Sequence, residues 1–407
     1  LVPKPGMLTA TVLILVEAGS EYETKNINGL SHFLEHLVFK GTEKRPSSGT
    51  IAGELDSLGA AYNAFTSQEY TGYWAKSESK KVGKIIDIIS DLYLNPIFNS
   101  DEIDRERGVI IEEINLYEDM PMRRVHDIFT DLLYGDQPAG WDIAGRKEII
   151  RRLAREDFIK YRKTHYTAPK TVMVVSGSFD SKEVISQVKG IFSKLNKRKK
   201  ADKPKTIEKQ VRPKLSVKFK GSDQSHLVVG VRAFDIFDKR RYIIKVIADI
   251  LGGGMSSRLF HEVREKLGAA YYVRAEAELL VDHGYLAVSA GVDHKKIKEV
   301  IKIVLREMKR LTDELVEPAE LKRSKDHLTG NLVLGLESSD ELASFYGGQE
   351  ILTQSVENPR DLINKVRKVT AEEIKNTAKF IFQNKKLNLA VIGPYRNKDS
   401  FRKTLHL

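Results

Sequence analysis

Leu58-Gly59-Ala60-Ala61-Tyr62 recurs as Leu267-Gly268-Ala269-Ala270-Tyr271, an offset of 209 in a chain of 407 residues. Working outward from these two pentapeptides, other landmarks keep the same order. LAREDFIKYRKTHYTAPKTVMVVSGSFD (153–180) aligns with VTAEEIKNTAKFIFQNKKLNLAVIGPY (369–395), each reading as a capped helix, a polar loop and an apolar strand. Asp101-Glu102-Ile103 answers Ala319-Glu320-Leu321 at an offset of 218. The chain is therefore read as two halves built on one plan.

Each half begins with an apolar strand, TATVLILVEAG (9–19) or QSHLVVGVRAF (224–234), followed by a helix over Gly29–Phe39 or Arg240–Leu251. A helix ending in the pentapeptide comes next, then alternating strands, then helices rich in Lys and Glu and a final strand. Alternation of Tyr70, Gly72 and Trp74 against Thr71, Tyr73 and Ala75 predicts a sheet with one buried face. The expected fold class is α+β, with two homologous α/β sandwich domains, each a mostly antiparallel sheet packed with helices. The expected domains are 1–195 and 216–407, joined by a basic, Pro-containing linker at 196–215.

The bulk composition excludes several chemistries. There is no cysteine, so disulfides, thiolate metal sites and cysteine nucleophiles are ruled out. Net charge is +11, but the cations are spread along the chain apart from Lys194–Lys205, which reads as a solvated linker. No aromatic-plus-basic stacking pattern or finger points to nucleic acid. No apolar run approaches a membrane span. The cytoplasm is the expected compartment. A chain opening on Leu1 just before a strand leaves a removed leader open, and with it an organellar matrix or the periplasm.

Gly29-Leu30-Ser31-His32-Phe33-Leu34-Glu35-His36-Leu37-Val38-Phe39 has helical apolar spacing. His32 and His36, four residues apart, project from one helical face and can bind one metal ion. Glu35 can reach a water at that ion without being a ligand, the arrangement of the reversed zinc-protease motif H-x-x-E-H. A catalytic zinc site needs a third protein ligand and one open position. Downstream, Glu106, Ile110 and Glu113 share a helical face, being four and then three residues apart.

With these residues the chain resembles the inverzincin metallopeptidases, the superfamily of pitrilysin, insulin-degrading enzyme and mitochondrial processing peptidase. There the motif is followed, 76 residues on, by the third ligand; here 76 residues separate His36 from Glu113. The resemblance implies His32, His36 and Glu113 as ligands of one Zn2+ per chain, Glu35 as general base and Glu106 as a supporting carboxylate. Asn63-Ala64-Phe65 resembles an edge strand to which a substrate peptide adds. Arg264 and Tyr271, seven residues apart, resemble a pair that binds substrate backbone and stabilises the tetrahedral intermediate. The second half has Asn331 where the offset of 218 would place Glu113, so its metal site is absent.

The implied function is a zinc metalloendopeptidase acting on unfolded peptides or presequence-like segments. Short members of the superfamily dimerise, so a homodimer is expected, with Arg264 and Tyr271 completing the site of the partner in trans. The competing reading is a non-catalytic scaffold subunit of the same fold.

Overall fold

The computed structural model describes residues 1–198 and 202–407. The middle of the basic run Lys194–Lys205, part of the expected linker, lies outside the described residues. Contacts divide the chain into two compact units. One comprises Leu1–Asn115, Trp141–Pro204 and Leu334–Val356; the other comprises Leu116–Gly140, Lys205–Val333 and Glu357–Leu407.

The first unit contains strands β1 (Val2–Pro3), β2 (Thr9–Val16), β3 (Ala61–Thr66), β4 (Thr71–Glu78) and β5 (Thr171–Gly177), in the order β1-β5-β2-β4-β3. All pairs are antiparallel except β1 with β5. The second contains β6 (Lys214–Phe219), β7 (Ser225–Arg232), β8 (Ala270–Leu279), β9 (Gly284–Val292) and β10 (Leu387–Gly393), in the order β6-β10-β7-β9-β8. Again one pair is parallel, β6 with β10. The two sheets thus share one topology.

The repeated pentapeptide marks the same event twice. In the first half it ends helix α2 (Ser48–Ser57, following α1 at Leu30–Leu37) and starts β3. Gly59 and Gly268 adopt φ of +62° and +56°, a left-handed stop that glycine accepts without a Cβ penalty. The helix before Gly268 differs: Phe260–Lys266 is a π-helix, and β8 opens with a bulge between Ala270 and Tyr272.

The expectation of one buried sheet face is corrected. In β2, Val12, Ile14 and Val16 join the main core of the first unit, which includes α1 and α3 (Val82–Leu94). Leu13 and Leu15 point the other way and pack, with Val174, Phe65 and Trp74, on Ala343 and Ile351 of helix Ser339–Thr353. Alternation gives two faces, and here both are covered, which explains the unbroken apolar run. The second sheet repeats this, with α5 (Pro121–Tyr134, after α4 at Ser100–Asp119) placing Phe129 and Leu133 on Val228, Ala287 and Ala390. Each sheet's outer layer therefore comes from the opposite half of the sequence.

The solvated-linker expectation is also corrected, at Lys203. Its ammonium is buried between the carboxylates of Glu69, 2.9 Å away, and Glu21. Two buried acids need a counter-charge, and the basic segment provides one.

Candidate metal centre

Helix α1 is anchored at its N-terminus. The buried Glu23 carboxylate accepts the Gly29 and Ser31 backbone N–H groups at 2.7 and 2.6 Å, and Asn28 Nδ2 at 3.1 Å. The two backbone N–H groups are donors that a helix start leaves unsatisfied, and a carboxylate there also complements the positive end of the helix dipole. Burial pushes the Glu23 pKa up to about 7, against the pull of those bonds. The Ser31 and Tyr161 hydroxyls meet at 2.8 Å. Phe33, Leu34 and Leu37 sink into the core, leaving His32 and His36 on one edge, ring centroids 4.8 Å apart.

Helix α4 supplies the facing side. Ile103, Ile110 and Ile114 are buried in the same core, each contributing on the order of 2 kcal/mol of apolar burial. Glu106 and Glu113 flank Ile110 on that stripe, while Glu112 is exposed. Glu113 Oε2 lies 3.5 Å from His32 Nε2 and 3.5 Å from His36 Nε2. This is longer than an ordinary N–H···O hydrogen bond, which spans about 2.7–3.2 Å. It matches the edge of a tetrahedron around an ion held at about 2.0–2.2 Å, which is about 3.4 Å. His32, His36 and Glu113 thus fit a metal ion by geometry and by donor type.

A ring of partners orients these groups. His36 Nδ1 meets Glu106 Oε1 at 2.8 Å, and Lys40 Nζ meets Glu106 Oε2 at 2.6 Å. In the tautomer whose Nδ1 donates to Glu106, the Nε2 lone pair of His36 faces Glu113. Burial alone pulls the His36 pKa down, but Glu106, Glu35 and Glu113 together hold it above its ordinary value. Burial raises the Glu106 pKa, and bonds from His36 and Lys40 more than reverse this. Glu35 accepts a 2.7 Å bond from Thr66 Oγ1, at the end of β3.

Asn63, Ala64 and Phe65 lie on β3, the edge strand of its sheet. Asn63 Oδ1 accepts the Ala64 backbone N–H at 2.9 Å, so this edge donor points away from β4. Ala64 faces the α1 side and the Phe65 ring the opposite layer. Arg264 and Tyr271 belong to the other unit. The structure brings them together: the Arg264 guanidinium lies 5.7 Å from the Tyr271 ring centroid, and Tyr271 is 76% exposed. The bulge at Ala270/Tyr272 leaves Tyr271 as the extra residue, turning its side chain out of the ladder.

Sequence reasoning missed Glu23 and Lys40, and it read Thr66 as part of the edge strand without its bond to Glu35. Lys40 carried a signal, lying four residues beyond His36 on the same face. Glu23 acts through a loop and has no periodic signature.

Comparison with known proteins places the chain in a family. Residues 2–146 match the family model described as Insulinase (Peptidase family M16), and residues 152–328 match the model described as Peptidase M16 inactive domain. An uncharacterized zinc protease of Streptomyces coelicolor is 32% identical over 98% of this chain and 88% of its own length. One of Bacillus subtilis is 32% identical over 97% of this chain and 96% of its own. Among solved structures, a protease from Helicobacter pylori superposes with a TM-score of 0.89 at 21% identity, covering 97% of this chain and 96% of that one. A chain of complex III2 from Candida albicans reaches 0.86 at 16% identity, covering 100% and 96%. These two likenesses bear on the fold alone. With a whole-length match to named zinc proteases and both family models in sequence order, this chain belongs to peptidase family M16, the insulinase family.

Proposed function

We propose that this protein is a zinc metalloendopeptidase acting on unfolded peptides. The observation that carries the reading is the equal 3.5 Å separation of Glu113 Oε2 from the Nε2 atoms of His32 and His36. These three residues would hold one zinc ion per chain. Bound zinc supplies a Lewis acid that polarises the scissile carbonyl and makes water nucleophilic near neutral pH. Glu35 Oε2, held by Thr66, takes the proton of the attacking water and returns it to the departing amine as the C–N bond breaks. Glu106 fixes the His36 ring. A peptide strand pairs with the outward backbone groups of β3, whose edge Asn63 marks. In a homodimer, the partner's Arg264 and the partner's Tyr271 would donate to the oxyanion.

The test is metal analysis of the full chain beside cleavage of an unstructured quenched fluorescent peptide. One zinc per chain and turnover abolished by a chelator are expected. Glu35→Gln should keep its zinc and lose about 10²–10⁴-fold in kcat. Full turnover in that variant overturns the assignment. Stoichiometric zinc with no cleavage of any unstructured peptide favours the scaffold reading.

A further inference from the structure

The first unit holds a concavity that none of the metal-centre residues lines. A cleft of about 860 Å3 is bounded by the C-terminal end of α3, one face of helix Arg155–His165 and the segment after helix Ser181–Phe192. Its size falls in the range of small-molecule sites.

Its charges do not balance. Asp87 and Asp91 on its wall are already held by Lys44 and Arg45, at 2.6–2.8 Å. That leaves Glu43 against Arg155, Arg162, Lys163 and Lys194. No carboxylate among the described residues lies within ion-pair distance of these four cations.

Arg162 is the most exacting of them. Its Nε is sealed from solvent with no hydrogen-bond partner among the described residues. It donates to the Tyr93 carbonyl and lies 5.5 Å from the Tyr166 ring centroid. Burial lowers its pKa, and the groups that oppose this are tyrosines, Tyr93, Tyr166 and Tyr73, rather than acids. The carbonyl end of α3 offers it only a partial negative charge. A desolvated guanidinium without a full counter-charge is costly, and its planar fork suits a carboxylate or phosphate.

The remaining walls are apolar and aromatic, with Phe98, Ile159, Tyr166 and Leu195 among them. Phe98 sits at φ +50°, an unfavourable conformation for a bulky residue. Arg155 holds it there by bonding the Phe98 and Ile97 carbonyls at 2.9 and 3.2 Å.

We propose that this cleft binds a small organic anion. Its carboxylate or phosphate faces Arg162, Lys163 and Lys194, and its apolar or aromatic body lies against Phe98, Ile159 and Tyr166. The site is separate from the metal centre and does not depend on peptidase activity.

Titration calorimetry of the full chain with naphthyl phosphate, naphthoate, inorganic phosphate and naphthol tests this. One or both naphthyl anions should bind saturably, at least about tenfold tighter than naphthol or inorganic phosphate. The stronger of the two identifies the head group. Arg162→Met should abolish binding. Because that variant can unfold, Lys163→Ala/Lys194→Ala, at two exposed positions, is measured in parallel and should lose at least about tenfold in affinity with an unchanged circular dichroism spectrum. No saturable heat with either anion, equal affinity for naphthol, or unaltered binding in the lysine variant overturns the proposal.

Discussion

Thr66 Oγ1 donates to Glu35 Oε2 across 2.7 Å, tying the last residue of the edge strand to the carboxylate proposed as general base. A peptide that pairs with β3 would therefore be placed by the same strand that fixes Glu35. Hydrogen bonds to charged groups are worth about 1.5–3 kcal/mol. Thr66→Val should lower kcat by about 10–100-fold while zinc content stays constant, and Thr66→Ser should recover most of it. Unchanged kcat in Thr66→Val would show that Glu35 is positioned by something else.

Glu106 touches His36 and Lys40 but lies outside the proposed ligand set. Replacing such a partner typically weakens metal affinity about 10–100-fold. Glu106→Gln should show this in competition with a chromogenic chelator. Equal affinity would mean that the His36 ring is held by packing alone.

Glu23 gives a pH dependence with a definite sign. Burial keeps its proton on in the folded chain up to about pH 7, whereas the ordinary value is 4.5. Its contribution to stability is complete below pH 4.5 and declines as pH rises to 7. The wild type should therefore lose up to about 3 kcal/mol relative to Glu23→Gln over that interval. Denaturant unfolding at several pH values measures the difference; parallel curves would reject it.

Gly347 tests the layer that helix Ser339–Thr353 forms on the first sheet. A Cβ at this position would meet Leu15 Cδ1 at 2.8 Å and Val174 Cγ2 at 3.2 Å. Gly347→Ala should destabilise the protein by about 1–3 kcal/mol, read as a lower thermal midpoint. An unshifted midpoint would show that the helix moves away at little cost.

The proposed sharing of sites between two copies has its own assay. Glu35→Gln and Tyr271→Phe chains, each impaired alone, should regain activity when mixed, because one heterodimeric site then carries both intact residues. Absence of any gain after subunit exchange counts against completion in trans.

What the sequence discloses follows from the range over which each signal acts. His32, Glu35 and His36 are visible because a helix repeats every three to four residues, and Glu106 and Glu113 share a stripe for the same reason. The duplicated plan is visible because Gly59 and Gly268 punctuate both halves alike. Glu23 is not, since a loop carries its carboxylate to α1 without periodicity. The π-helix at Phe260–Lys266 is equally hidden, its composition being ordinary for an α-helix. Leu13 and Leu15 announce a buried face, but nothing in them names Ala343 and Ile351 as the cover.

That exchange of covering helices has a consequence for biosynthesis. While the first half leaves the ribosome, its sheet can close one core, yet Leu13, Leu15 and Val174 stay bare until about residue 353 has been made. The half that carries His32, His36 and Glu113 is thus committed to a long wait with sticky surface showing, the state in which nascent chains recruit chaperones or aggregate. A gene fragment stopping near residue 204 would make that wait permanent.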